Sequence, residues 1–123
     1  MADKIYTLQL CLNTPEKKFT ERLTQIIEKH ICDSNFDVNL FSNMMCMSRT
    51  QLHRKLKKTT GLSTTAFIRK QRIQLAQLIL NSTPLPISQV STLVGFNDPS
   101  YFSQCFKDIT GILPSKYKPN PLK

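Results

Sequence analysis

The sequence predicts an all-α fold in which two helix-turn-helix subdomains are joined by a long linker helix. The main observation is an internal repeat. The stretch from Val38 to Gly61 has the same order of apolar and polar residues as the stretch from Ile87 to Gly111, with an extra residue in the second turn. Composition agrees with this fold, because the 123 residues include only three glycines and few alternating runs.

The chain before the first repeat copy is expected to contain a connector and one amphipathic helix. Apolar and polar residues alternate between Tyr6 and Leu12, so residues 1–18 are predicted to be a connector that is partly extended. Pro15 suits the first position of the helix that follows. An apolar stripe marks the face that this helix buries: Phe19, Leu23, Ile26, Ile27 and Ile31.

The first repeat copy predicts two helices around a tight turn, within a subdomain of residues 19–62. Asp37 is a suitable N-cap for the short first helix. Ser48, with Gln51 three residues later, predicts a capping box at the start of the second helix. Gly61 suits a left-handed C-cap, so the second helix is expected to end there.

The linker segment is assigned to residues 63–81. Ser63 predicts the N-cap of a helix over residues 64–80. This helix is apolar around much of its circumference, so it is expected to pack against both subdomains. Its exposed patch is expected to hold three basic residues: Arg69, Lys70 and Arg72.

The second subdomain is assigned to residues 82–118 and repeats the plan of the first. A short helix is followed by a turn and by a second helix that Asp98 caps. Three apolar residues of that second helix are expected to face inward: Phe102, Phe106 and Ile109. Pro114 begins a last short helix, which brings the total to about seven, and residues 119–123 are expected to be a loose tail.

Charge and composition limit the classes of function. The formal net charge is +9, and most of the excess lies in residues 19–81, which favours a polyanionic partner. The sequence shows no nucleophile or paired-carboxylate signature and no phosphate-binding glycine loop, so an enzyme is not expected and no cofactor or metal is predicted. The four scattered cysteines allow two disulfides, but free thiols in a reducing cytoplasm fit their helical positions better.

The second helix of each copy carries the predicted site, a face that binds double-stranded DNA. Two bulky apolar residues four apart support each helix, and donor-rich side chains lie opposite, as a helix in a major groove requires. The residues expected to read base edges are Thr50, His53, Arg54, Ser100, Ser103 and Gln104. The residues expected to contact phosphates are Arg49, Lys57, Lys58 and Lys107.

The alternative is a basic helical module that binds an acidic protein or an anionic membrane without reading DNA sequence. A helix that lies on a membrane presents an apolar face flanked by lysines. The two predicted faces are instead polar, with fork-shaped donors such as Arg54 and Gln104. They favour DNA, and no membrane contact is expected for this domain.

Two segments resemble the AraC/XylS family of bacterial transcription regulators. Residues 48–57, Ser-Arg-Thr-Gln-Leu-His-Arg-Lys-Leu-Lys, resemble the family's first recognition helix, and residues 94–103, Val-Gly-Phe-Asn-Asp-Pro-Ser-Tyr-Phe-Ser, resemble its signature region. The resemblance covers about residues 19–118. It implies two helix-turn-helix units, sequence-specific duplex binding and control of transcription, often through contact with RNA polymerase.

The same segments are similar to the output domain of hybrid two-component regulators, which implies an upstream receiver or sensor domain. The chain departs from the family pattern at a few positions. Cys46 replaces the usual glycine of the first turn, and Gln104 stands where the family often has a base-reading arginine. Pro86 replaces a capping residue, which is expected to cost about 1 kcal/mol.

Overall fold

Seven helices and no strand make up residues 15–117, the part of the chain that the computed structural model describes. The helices are α1 (Pro15–His30), α2 (Val38–Met44), α3 (Arg49–Thr60), α4 (Thr64–Ser82), α5 (Ile87–Leu93), α6 (Pro99–Thr110) and α7 (Pro114–Tyr117). The all-α prediction is confirmed. The predicted alternation near the N-terminus and the predicted loose tail lie outside the described residues.

Capping side chains set the starts of the helices in the first subdomain. The Asp37 carboxylate accepts a hydrogen bond from the Leu40 amide at 2.9 Å. The Ser48 hydroxyl accepts from the Gln51 amide at 3.1 Å, and the Gln51 side chain accepts from the Ser48 amide at 3.0 Å. The predicted capping box is therefore present, and it satisfies two amides that the helix itself leaves without partners.

The two repeat copies fold in the same way down to single hydrogen bonds. The Met47 amide donates to the Ser42 carbonyl at 3.0 Å, and at the matching place in the second copy the Phe96 amide donates to the Ser91 carbonyl at 3.0 Å. The extra residue, Asn97, follows this bond. Both α3 and α6 end at glycines in the left-handed conformation.

Two separate hydrophobic cores form, one in each subdomain, and α4 contributes to both. Its N-terminal half places Phe67 and Ile68 in the core beneath α1, α2 and α3. Its C-terminal half places Ile73, Ala76 and Leu80 in the core beneath α5 and α6. The linker helix thus buries apolar surface against both subdomains, as its composition predicted.

The inner face of α6 differs from the prediction at one position. Phe102 and Phe106 are fully buried, but Ile109 is 40% exposed and Cys105 is buried in its place. Cys105 lies one turn after Phe102, directly over the core, whereas Ile109 lies in the last turn of α6 beside an open groove.

Cys105, Cys32 and Cys46 are free thiols, and Cys11 lies outside the described residues.

The linker helix departs from the prediction in length and in its exposed patch. It continues to Ser82 and ends where the Thr83 amide and hydroxyl both donate to the Ile79 carbonyl at 2.9 Å. Leu78 is 62% exposed. Of the three basic residues expected in the exposed patch, Lys70 is exposed but Arg69 and Arg72 are half-buried, and Arg72 donates to three backbone carbonyls. Within residues 15–117, no helix is long and apolar enough to span a bilayer.

Candidate nucleic-acid interface

The α3 helix presents a polar face on a buried apolar base. Leu52 and Leu56 are fully buried and hold the helix on the first core. Every α3 residue predicted to read bases or contact phosphates is exposed: Arg49, Thr50, His53, Arg54, Lys57 and Lys58. One face of α3 is therefore anchored, and the other carries donors and positive charge toward solvent.

The N-terminus of α3 faces the N-terminus of α4. An open cleft of about 620 Å³ separates them, with Arg49, Thr50 and His53 on one wall and Thr64 and Thr65 on the other. Both helices direct unpaired amides and the positive end of a helix dipole to this region. Two helix N-termini thus face the same cleft, a feature that the sequence did not reveal because it depends on how two helices meet.

The matching face of α6 is less open. Ser100, Gln104 and Lys107 are exposed, but Ser103 is half-buried. The Gln104 amide donates to the Asp108 carboxylate at 3.0 Å along the same helix. One donor of Gln104 is thus in use within the protein, and a carboxylate lies beside it, so α6 offers fewer donors to a base edge than α3.

Tyr101 was not singled out by the sequence reasoning; it lines the cleft between the two subdomains, beside Arg69 and Phe96. It is 47% exposed, and its hydroxyl accepts a hydrogen bond from Arg69 of α4 at 3.4 Å. This hydrogen bond is the main cause that raises the pKa of Arg69. The bond ties α6 to the linker helix and leaves the tyrosine ring partly open to solvent.

The chain is similar in sequence to a known family and to known proteins. The family model described as "Helix-turn-helix domain" matches residues 41–120. The arabinose operon regulatory protein of Escherichia coli K12 is 36% identical over 107 residues, which cover 87% of this chain and 37% of that protein. The chain therefore spans little more than a third of the length of this curated relative.

Two solved structures share the fold. The C-terminal domain of the two-component response regulator yesN from Fusobacterium nucleatum superposes with a TM-score of 0.75 at 30% identity, over 81% of this chain and 97% of that one. The DNA-binding domain of AdpA, solved in complex with a target DNA, gives 0.74 at 25% identity over 81% and 88% of the two chains. This chain belongs to the helix-turn-helix domain family of the AraC type, as its recognition-helix and signature segments predicted.

Proposed function

We propose that this chain is the DNA-binding domain of a bacterial transcription regulator, and that it binds a specific duplex sequence with α3 and α6 in successive major grooves. The observation that carries the proposal is the repeated unit itself. Two equivalent helices each stand on a buried apolar base and turn a polar face outward, in a chain of net charge +9. The AdpA domain, which has the same fold, was solved with its target DNA.

In this proposal α3 makes more of the base contacts than α6. Arg54 is exposed and has the planar fork that binds guanine O6 and N7, so it reads a base, with Thr50 and His53 beside it. The exposed cations Arg49 and Lys57 contact phosphates and position the helix. Lys58 does the same from α3 and Lys107 from α6.

The α6 helix reads less sequence than α3. One N–H of the Gln104 amide already donates to the Asp108 carboxylate and holds the side chain along α6, so turning the amide to pair with adenine N6 and N7 reduces the net gain. Ser100 and the half-buried Ser103 can still contact base edges as single donors or acceptors. The proposal therefore assigns most base discrimination to α3 and a mainly orienting role to α6.

The partners of the whole regulator are part of the proposal. The similarity to the response regulator yesN supports an upstream receiver domain, because the matched part of that protein is its C-terminal domain. The resemblance to the AraC/XylS family supports a contact with RNA polymerase. Both proposed partners, duplex DNA and RNA polymerase, are found in the bacterial cytoplasm, which supports a cytoplasmic location for the regulator.

A competition assay tests the proposal against simple attraction to polyanions. The domain is bound at about physiological salt to a labelled duplex enriched from a random pool, and unlabelled competitors are added. The enriched duplex should compete at least about 1,000-fold better than its scrambled version, which is the low end for specific DNA binders. If scrambled duplex and polyphosphate compete as well as the enriched duplex per phosphate, the domain is a non-specific polyanion binder and the proposal fails.

A further inference from the structure

Near the middle of α4, where the helix passes from one hydrophobic core to the other, the side chain of Arg72 contacts both subdomains. Its Nε donates to the Ile31 carbonyl at 3.0 Å, and its Nη2 donates to the Asp33 carbonyl at 2.9 Å and to the Phe36 carbonyl at 3.0 Å. These three carbonyls belong to the loop between α1 and α2. One guanidinium therefore holds the whole first-subdomain loop onto the linker helix with charge-assisted hydrogen bonds.

The second subdomain contacts the same guanidinium through Phe96 and Gly95. The Arg72 Cζ lies 6.0 Å from the centre of the Phe96 ring, which is a cation–π distance. Gly95 has a φ of +95°, and a Cβ built there would lie 2.8 Å from Arg72 Nε and 2.9 Å from the Ile31 carbonyl oxygen. The turn between α5 and α6 therefore approaches the first subdomain so closely that only glycine fits.

Direct packing of helices of one subdomain on helices of the other is sparse. The main helix–helix contacts lie within a subdomain or join a subdomain to α4. Between the subdomains lies an open cleft of about 590 Å³, whose lining includes Asp37 and Asp98, the caps of α2 and α6. Any rocking of one subdomain against the other must therefore strain or break the Arg72 contacts.

We propose that Arg72 is a positioning residue that fixes the distance and angle between α3 and α6, and so sets the spacing between the two base-pair blocks that the domain accepts. The inference rests on the proposed function, because it concerns DNA with two contacted blocks. Changing the spacing by one base pair rotates one block by about a tenth of a turn around the duplex. A protein with a rigid junction cannot follow that rotation, so it loses much of its affinity for the altered spacing.

The test uses duplexes enriched from a random pool, with the spacing between the two motifs changed by one or two base pairs. The variant Arg72→Met keeps the apolar stem and removes the donors, and Lys70→Met removes one exposed cation from the same helix as a matched control. Wild type should bind the native spacing about 10-fold more tightly than the altered ones. Arg72→Met should narrow that ratio to about 3-fold or less, because a loose junction adapts to either spacing.

The control and the single-block duplex separate the possible outcomes. Lys70→Met should keep the wild-type ratio, and Arg72→Met should keep wild-type affinity for a duplex that carries the α3 block alone. A wild-type spacing ratio in Arg72→Met overturns the inference but leaves the proposed function standing. If wild type itself shows no spacing preference, the two-groove proposal fails instead.

A second variant covers the case in which Arg72→Met does not fold, as judged by loss of helical circular dichroism. Arg72→Lys keeps the charge but cannot reach three carbonyls with one planar fork. It should fold and show an intermediate spacing ratio. If the Arg72→Lys variant folds and keeps the wild-type spacing ratio, the inference is overturned.

Discussion

Cys46 carries backbone strain at the turn before α3. Its φ is +59°, and within residues 15–117 every other residue with a positive φ is a glycine. Gly95 occupies the matching position in the second copy. The Arg22 side chain bonds to this turn, donating to the Met44 carbonyl at 3.2 Å and to the Cys46 Sγ at 3.5 Å. A left-handed conformation costs an L-residue about 1–2 kcal/mol. The hydrogen bonds from Arg22 hold the turn in this conformation.

Replacing Cys46 by glycine should therefore stabilise the domain. We expect the free energy of unfolding to rise by about 0.5–1 kcal/mol, because relief of strain exceeds the extra freedom that glycine gives the unfolded chain. Urea denaturation followed by circular dichroism measures the change. The control is Cys32→Gly, at an exposed position with ordinary φ, which should lose stability. Equal losses in both variants would show that Cys46 is not strained.

Gly95 and Gly61 form a second matched pair, because both have positive φ but only Gly95 is crowded. A Cβ at Gly61 meets nothing within 4 Å, whereas one at Gly95 meets Arg72 and the Ile31 carbonyl. Gly61→Ala should cost about 1 kcal/mol from backbone strain alone. Gly95→Ala should cost about 1–3 kcal/mol more, because the junction must open. Thermal denaturation of the two variants measures these losses of stability, and equal losses would contradict the close contact at Gly95.

The helices themselves are the part of the fold that the sequence predicts best. Their starts and ends follow local rules, and the Asp37 cap, the Ser48 capping box and the Gly61 C-cap all appear as expected. The site residues on α3 are exposed for the same reason, since helical spacing separates them from Leu52 and Leu56. What each of them binds stays a prediction.

The role of Arg72 could not be predicted in this way. The carbonyls that it contacts lie 36 to 41 residues earlier in the chain. A basic residue in a helix otherwise indicates an exposed patch, which is the wrong assignment that the sequence produced. The exposed Ile109 has a similar cause, because helical periodicity does not show where a core ends.

The contrast between Arg54 and Lys57 is the test that belongs to α3 as an element. Arg54→Ala should relax specificity at one base pair by about 1–3 kcal/mol, because a bidentate contact is lost. Lys57→Ala should weaken binding to all sequences alike and reduce the salt slope by about 1, because a phosphate contact is lost. Affinities for a set of single-base variants of the enriched duplex measure both. If Arg54→Ala leaves the base preference unchanged, its assigned role is wrong.

The whole molecule consists of two copies of one unit around a shared helix. The copies agree in their turn hydrogen bonds and in their glycine C-caps, yet they differ in charge, in the Asp108 partner of Gln104 and in the cap that Pro86 cannot supply. The first copy carries five of the six Lys and Arg residues of the two copies, and so has the surface of a strong DNA contact. The second copy shares the geometry but offers fewer donors.

The central claim is that both copies engage DNA at once, and selection of tight-binding duplexes from a random pool tests it most directly. At about physiological salt, the domain should enrich two short motifs whose centres lie roughly 10 base pairs apart, one helical turn. The motif facing α3 should be the more sharply defined. Enrichment of one motif alone would contradict two-groove reading, and no enrichment, with binding that vanishes as salt rises, would contradict sequence-specific binding altogether.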